Sequence, residues 1–206
     1  MGELTPEPER DGALLEWLEE WAWNALVVMF YLPVANGAVL YLWWTDGDFA
    51  ALAHTVGLHP LRDAGIGLLV GLLMFTIWVL LTPRVPALRG LAQGLGEAMG
   101  RPSWAGCLMV AAASALGEEM LFRGVIQERL GLAVGVLTFA AAHVPWERRM
   151  APWPVVALIS GIVLGVLYAR TGAVMSSFVA HMVVNLLALR WIGERYGQAG
   201  QSPAGG

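Results

Sequence analysis

Six long apolar runs constrain the fold of this chain more than any other feature of its sequence. A helix of roughly 20 apolar residues crosses the hydrocarbon core of a bilayer, which is about 30 Å thick. The runs of about this length cover residues 21–44, 64–81, 103–130, 131–146, 153–169 and 172–189. The chain is 57% hydrophobic and 14% charged, whereas soluble domains carry about 25% charged residues. The sequence therefore predicts an all-α polytopic transmembrane helix bundle of about six spans.

The charges at the start of the chain bear on its location and partners. Residues 1–20 hold seven acidic residues and one basic residue, so this segment has a net charge of −6. The rest of the chain carries +2, which gives the net charge of −4 for the whole sequence. An acidic start does not fit a secretory signal peptide, which needs a basic first region. It also gives no basic patch for nucleic acid. We therefore expect membrane lipid, and no nucleic acid, among the partners of this chain.

The arginines predict the orientation of the bundle. With six spans, eight arginines lie on the side of the two termini and three lie on the other side, with Arg123 left out as intramembrane. Basic residues favour the cytoplasmic side of a membrane. The sequence thus predicts a multi-pass membrane protein with both termini in the cytoplasm. The compact length of 206 residues separately favours a prokaryotic cytoplasmic membrane. The first span is the least regular, because Pro33 and Asn36 interrupt it.

A small set of polar side chains falls inside the predicted spans. Each ionisable group at membrane depth costs about 2.5 kcal/mol or more, so such groups are candidates for function. They are Glu118, Glu119, Arg123, His143 and His181, with Asn185 as a polar companion. Glu119 and Arg123 are four residues apart and share a helix face, whereas Glu118 points about 100° away from Glu119.

The depths of these groups also agree. Tight turns are predicted near residues 130–131 and 171–172, on the same side of the membrane. At about 1.5 Å per residue, Glu118 and His143 each lie roughly 18 Å from their turn, His181 roughly 13 Å and Asn185 roughly 19 Å. Four polar groups on three helices therefore reach a similar level, and we expect the active site between the third, fourth and sixth spans.

Such a group of side chains suits the hydrolysis of an amide bond. A carboxylate beside a histidine can act as a general base on water. A second histidine and an asparagine on one helix face can donate hydrogen bonds to the oxyanion that develops.

Three motifs in this region resemble those of a known family. Glu118-Glu119-Met-Leu-Phe-Arg123 is similar to an EExxxR motif, Phe139-Ala-Ala-Ala-His143 to FxxxH, and His181-Met-Val-Val-Asn185 to HxxxN. In this order they resemble the CPBP family (CAAX proteases and bacteriocin-processing, or Abi, proteins) over about residues 103–189. Residues 1–100 resemble no family that we can name.

The resemblance implies an intramembrane endopeptidase and a role for each site residue. Glu118 would be the catalytic base, with His143 as its partner on the water, and His181 and Asn185 would form the oxyanion site. Glu119 and Arg123 would orient these groups, although Glu119 could share the catalytic work, and Phe139 would support them. The chain then divides into an acidic segment (1–20), two spans with their loops (21–100), a CPBP-like catalytic membrane core (101–191) and a flexible tail (192–206).

Several questions stay open at this point. Metal-independent glutamate chemistry is favoured, with no cofactor; the alternative is zinc or another divalent metal bound by Glu118, His143 and His181. The substrate would be a membrane-anchored protein or peptide, cut at a lipidated C-terminus, a leader peptide or a C-terminal sorting segment. The competing function is a non-catalytic membrane adaptor or immunity-type protein with the same fold. A transporter or proton relay is disfavoured, because the sequence has no repeated halves. The oligomeric state is not predicted.

Overall fold

The computed structural model describes residues 8–47, 53, 56–145 and 147–197, and every regular element in this part of the chain is helical. The α-helices are α1 (Pro8–Asp46), α2 (Pro60–Leu81), α3 (Pro86–Met99), α4 (Trp104–Glu119), α5 (Glu128–Leu130), α6 (Leu132–Ala142), α7 (Trp153–Thr171) and α8 (Val174–Tyr196). A π-helix, Met120–Gln127, joins α4 to α5, and a short 3-10 helix, Arg148–Met150, precedes α7. Five helical stretches in the described residues are long and apolar enough to cross a membrane. The predicted polytopic helical bundle is thereby confirmed.

The helix in the fourth predicted span, 131–146, is shorter than the sequence predicted. Its helix, α6, has 11 residues, and at about 1.5 Å per residue such a helix is too short to cross the bilayer by itself. The helix ends at Ala142 because Pro145 follows closely, and a proline disfavours helical geometry in the residue before it. The described residues therefore form five helices long enough to span a membrane and one shorter apolar helix, and His143 lies just beyond the end of that helix.

The first span is more regular than the sequence suggested. Helix α1 runs for 39 residues without a break, and Pro33 lies inside it. The side chain of Asn36 donates a hydrogen bond to the carbonyl of Leu32 at 2.9 Å, so this polar group is satisfied within the helix. In a bilayer, backbone and polar groups gain most from such internal bonds, since no water replaces them.

The two ends of the chain differ from the predicted division. Residues 192–196, which were predicted as part of a flexible tail, continue α8 to Tyr196. Residues 198–206 lie outside the described residues, as do residues 1–7 of the predicted acidic segment. One acid of that segment, Glu20, has a structural partner: its carboxylate accepts hydrogen bonds from the backbone N and the Oγ of Ser103, each at 2.7 Å. It thus stabilises the start of α4, where the helix dipole favours a negative charge.

Several polar contacts connect different helices at one end of the bundle. The Glu20–Ser103 bonds bring the N-terminal part of α1 there, and Arg149 forms an ion pair with Glu97 of α3 at 2.7 Å. Arg190, near the end of α8, donates to the carbonyl of Pro102 at 2.8 Å. The early part of α1, the segment before α7 and the last turns of α8 are therefore on the same side of the molecule.

Small residues let α2 and α8 pack closely. A Cβ added at Gly71 would lie 2.7 Å from the carbonyl oxygen of Ala180 and 2.9 Å from the Cβ of Val183. Gly67, one turn earlier, lies against Ser176 in the same way. This close approach fixes α8, and so places His181 against α4.

Candidate active site

Glu118 and Glu119 are the last two residues of α4 and are both buried. The helix changes to π geometry at the next residue, Met120. A π-helix is rare and often marks a functional site, because its extra residue per turn disturbs the regular spacing of side chains. The two glutamates form hydrogen bonds with different residues, Glu118 with Tyr31 and Glu119 with His181, although His181 lies close to both.

Glu119 forms a fully buried ion pair with Arg123. Its Oε2 lies 3.2 Å from Arg123 Nε, and neither side chain is exposed. The guanidinium also donates to the carbonyl of Gly161 at 3.4 Å and lies over the ring of Phe139, 4.6 Å from its centroid. A buried charge without a partner is strongly destabilising. Arg123 and Phe139 therefore support Glu119, in the arrangement that the four-residue spacing predicted.

The other oxygen of Glu119 binds a histidine, a contact that helix phase did not reveal. Glu119 Oε1 lies 2.8 Å from His181 Nδ1. A carboxylate paired with an arginine accepts hydrogen bonds only, so Nδ1 of His181 carries the proton and donates it. The Nε2 atom of His181 is thereby directed toward Glu118.

His143 is oriented by its own helix. It is the residue at the end of α6, and its Nδ1 donates to the carbonyl of Phe139 at 2.8 Å. The last carbonyls of a helix lack partners in the helix itself, so this bond satisfies one of them. The Phe139 ring contacts that of His143, with 4.7 Å between centroids. The FxxxH spacing thus lets the histidine ring fold back over the preceding turn.

The two histidines and Glu118 meet at one point. Glu118 Oε2 lies 3.8 Å from His143 Nε2 and 3.9 Å from His181 Nε2. These distances are too long for direct hydrogen bonds. The Oε2 atom is buried and has no hydrogen-bond partner among the described residues. With both Nδ1 atoms protonated, three acceptor atoms face each other when the histidines are neutral. A water molecule, which can donate two hydrogen bonds, suits such a set.

Glu118 has a further partner on α1 that sequence reasoning missed. The hydroxyl of Tyr31 donates to Glu118 Oε1 at 2.7 Å. One signal could have suggested it: tyrosines in membrane proteins concentrate at the interfaces, and Tyr31 falls well inside the first apolar run.

Asn185 lies one helical turn beyond His181. Its side-chain nitrogen donates to Ser114 Oγ at 3.3 Å, and Ser114 is one turn before Glu118 on α4. The structure therefore places Asn185 on the face of α8 that meets the glutamate helix. An amide NH₂ has two hydrogens, so one remains for another acceptor.

A cavity of about 390 Å³ reaches the catalytic candidates. Its polar lining comes from Tyr31, Glu118 and His143, while His181 and Asn185 are not among its lining residues. The rest of the lining is apolar and consists of Phe30, Val34, Leu121, Phe122, Ala142, Val144, Pro145 and Trp153.

The metal alternative would need Glu118, His143 and His181 as ligands. No group of three or more His, Cys, Asp or Glu side chains among the described residues could hold a metal ion. The ligands of a tetrahedral zinc site, with bonds of about 2.0–2.1 Å, lie roughly 3.4 Å apart. Glu118 Oε2 is farther than this from both histidine Nε2 atoms, at 3.8 and 3.9 Å.

The described helices therefore bring two glutamates, an arginine and two histidines together in a bundle whose helices are long and apolar enough to cross a membrane. The comparisons with known proteins show that part of the chain is similar to a known family. Residues 100–187 match the family described as type II CAAX prenyl endopeptidase Rce1-like. The resemblance drawn from the three motifs is therefore confirmed over this segment, which contains all seven of the predicted site residues. The matched family is one of intramembrane proteases.

A relative from Bacillus subtilis (strain 168), described as the uncharacterized protein YpbD, is similar to part of the chain. The two are 37% identical over 73 residues, which cover 34% of this chain and 37% of the relative. The match thus spans little more than a third of the relative's length. No solved structure matches the chain.

Proposed function

We propose that this protein is an intramembrane endopeptidase that hydrolyses a peptide bond in a membrane-anchored protein or peptide. The observation that carries the proposal is the convergence of His143 Nε2 and His181 Nε2 on Glu118 Oε2, within 3.9 Å, beside a largely apolar cavity. The match of residues 100–187 to a protease family supports it.

In the proposed reaction, Glu118 acts as a general base. A water molecule beside Oε2 loses a proton to Glu118 while its oxygen attacks the carbonyl carbon of the substrate. His143, which lines the cavity next to Glu118, holds that water in position. The C–N bond of the tetrahedral intermediate then breaks, and the proton taken by Glu118 passes to the leaving amine. The products are a carboxylic acid and an amine, so atoms and charges balance.

His181 and Asn185 would stabilise the oxyanion of the intermediate. His181 can donate from Nε2 when it is an imidazolium, because its Nδ1 proton is held by Glu119. A carboxylate in this position stabilises the imidazolium, as in other catalytic carboxylate–histidine pairs. Asn185 would contribute its second amide hydrogen. In this proposal Glu119 takes part in catalysis through His181.

The mostly apolar lining of the cavity favours a substrate whose cleaved segment is apolar. Its aromatic and aliphatic walls would exclude water around the scissile bond, which strengthens the electrostatic interactions inside. A peptide that is anchored in the bilayer could present such a segment. This chemistry is shared by a lipidated C-terminus, a leader peptide and a C-terminal sorting helix.

We also propose that both ends of the chain face the cytoplasm of a prokaryotic cell. The end of the bundle where Arg149 and Arg190 lie also holds Arg84 and Arg101, which flank α3. Basic residues near span ends favour the cytoplasmic side.

The test compares membrane proteomes of cells that contain the wild-type protein, Glu118→Ala or Glu118→Gln. Glu118→Gln keeps the size of the side chain and an acceptor for Tyr31, but it cannot take a proton. If both variants insert normally and the same membrane-anchored proteins keep an uncut terminus, the endopeptidase is supported. His143→Ala and His181→Ala should give the same uncut termini.

Identical termini in all strains, together with a phenotype on deletion of the protein, would favour a membrane adaptor instead. The need for a metal is tested separately on purified protein. Metal-independent chemistry predicts that cleavage survives extended treatment with a chelator, whereas loss of cleavage that zinc restores would contradict it.

A further inference from the structure

Helix α1 lies outside the segment that matches the protease family, yet it contacts the candidate base directly. The family match covers residues 100–187, and Tyr31 donates to Glu118 Oε1 at 2.7 Å from the middle of α1. Phe30, Tyr31 and Val34 also form one wall of the cavity. The first helix is thus part of the site, although none of the three motifs lies on it.

From this contact we infer that Tyr31 is a positioning residue for Glu118. This role rests on the proposed endopeptidase function. The hydroxyl of Tyr31 holds Oε1 of Glu118 and so directs Oε2 toward the two histidines. A carboxylate on an sp³ chain can rotate about its last bond. A hydrogen bond to one oxygen limits that rotation, and a bond with a charged partner is stronger than a neutral one. The two oxygens of Glu118 therefore have separate tasks.

The backbone around Tyr31 supports this assignment. A Cβ added at Gly117, the residue before Glu118, would lie 2.9 Å from Tyr31 Cδ1 and 3.0 Å from its carbonyl oxygen. Only a glycine at this position lets α1 approach α4 so closely. The approach brings the phenol within hydrogen-bond distance of the carboxylate, and it fixes the register of α1 against the catalytic helix.

The chain offers a matched control for the same kind of bond. Tyr168 donates to Glu128 Oε2 at 2.6 Å, also from a largely buried tyrosine, but neither residue lines the cavity. Tyr168→Phe thus removes one tyrosine–glutamate hydrogen bond away from the site, and Tyr31→Phe removes one within it. Both variants keep the aromatic ring and its packing.

The first measurement is kcat and KM for a substrate identified by the proteomic comparison, on purified full-length protein. We expect Tyr31→Phe to lower kcat about 10- to 100-fold, because misplacing a catalytic group by a fraction of an ångström to an ångström has effects of this size. KM should stay within twofold, since the cavity wall keeps its shape. Tyr168→Phe should leave kcat within twofold of wild type.

The second measurement does not depend on proteolysis. An apolar carbodiimide reacts with protonated carboxyl groups, and mass spectrometry gives the rate of labelling at Glu118. Tyr31→Phe removes the hydroxyl that holds Glu118 Oε1, so the carboxyl group becomes free to rotate and to meet the reagent. We therefore expect Glu118 to label about threefold faster or more in Tyr31→Phe than in wild type or Tyr168→Phe. If the wild-type protein cleaves nothing, the proposed function fails while this labelling still tests the role of Tyr31.

The two measurements together decide the assignment. Lower kcat with unchanged KM and faster labelling in Tyr31→Phe supports a positioning role. Wild-type kcat in this variant, or a change in KM with unchanged labelling, would overturn it and leave Tyr31 as part of the cavity wall. A loss of folding would instead lower the amount of monodisperse protein recovered. This amount is therefore measured for wild type, Tyr31→Phe and Tyr168→Phe.

Discussion

Glu119 Oε1 lies 2.8 Å from His181 Nδ1, and this contact joins the first motif of the site to the third. The same carboxylate binds Arg123 through its other oxygen at 3.2 Å. Glu119 therefore connects a purely structural interaction with the orientation of a candidate catalytic ring. Its role can be separated from that of Glu118, which contacts the cavity directly.

Glu119→Gln is expected to impair catalysis and also to lower stability, because it leaves the buried guanidinium of Arg123 without an anion. The amide keeps the size of the side chain, but it lacks the charge that stabilises a protonated His181. In other enzymes, neutralising the carboxylate behind a catalytic histidine lowers kcat by on the order of 10⁴-fold, and we expect a loss of about 10²- to 10⁴-fold here. The measurement is kcat on purified protein. Glu128→Gln, which alters a tyrosine–glutamate bond away from the cavity, is the control, and an equal loss in both variants would contradict this role.

Arg123→Ala should destabilise the bundle strongly. The substitution leaves the carboxylate of Glu119 buried with no cation beside it, and breaking a buried pair in this way costs about 3–5 kcal/mol. We expect a large fall in the amount of folded protein in the membrane and a lower midpoint of thermal unfolding in detergent.

A double variant separates charge from packing at this pair. Arg123→Leu with Glu119→Gln removes both charges while it keeps an acceptor for His181. Replacing a buried ion pair by groups of similar size is often neutral for stability, so the double variant should recover much of the unfolding midpoint that Arg123→Ala loses. It should stay inactive. A double variant as unstable as Arg123→Ala would show that the pair does not act through its buried charges.

Local spacing predicted the parts of the site that lie on a single helix. The Glu119–Arg123 pair follows from residues four apart on one helix, and the Phe139–His143 contact follows from the same spacing. Counting residues from the two turns also brought Glu118, His143 and His181 to a similar level, and the structure places Nε2 of both histidines within 3.9 Å of Glu118 Oε2.

The contacts between distant helices could not be predicted in this way. Tyr31 reaches Glu118 only because Gly117 lets α1 approach α4, and that register depends on packing along the whole of both helices. The Glu119–His181 bond depends on the close packing of α8 on its neighbours. The π-helix after Glu119 also escapes a count of apolar residues, because it arises from local backbone geometry. The early end of α6 at Ala142 escapes that count too, although Pro145 was a signal for it in the sequence.

The packing of α2 on α8 gives a prediction about stability. Gly71→Ala would place a methyl group 2.7 Å from the carbonyl oxygen of Ala180, where a backbone atom has to move. Overpacking of this kind costs about 1–3 kcal/mol. We expect a lower midpoint of thermal unfolding and a displaced α8, which would also reduce cleavage.

Gly65→Ala is the matched control for that variant. Gly65 is on the same helix, and a Cβ added there meets nothing within 4 Å. An alanine in a helix interior is more favourable than a glycine by about 0.5–1 kcal/mol, so Gly65→Ala should match or exceed wild-type stability. If the two variants unfold alike, close packing at Gly71 does not fix the position of α8.

Asn185→Ala provides the sharpest test of the proposed oxyanion site. Removing one donor to an oxyanion lowers kcat by about 10²- to 10³-fold, and we expect a loss in this range with little change in KM. Asn185 also binds Ser114 at 3.3 Å, so a structural effect of losing that bond has to be excluded. Ser114→Ala removes the same hydrogen bond while it keeps the amide, and this variant should retain kcat within a few-fold of wild type. A similar loss in Asn185→Ala and Ser114→Ala would mean that Asn185 only holds α8 against α4, and the oxyanion would then depend on His181 alone.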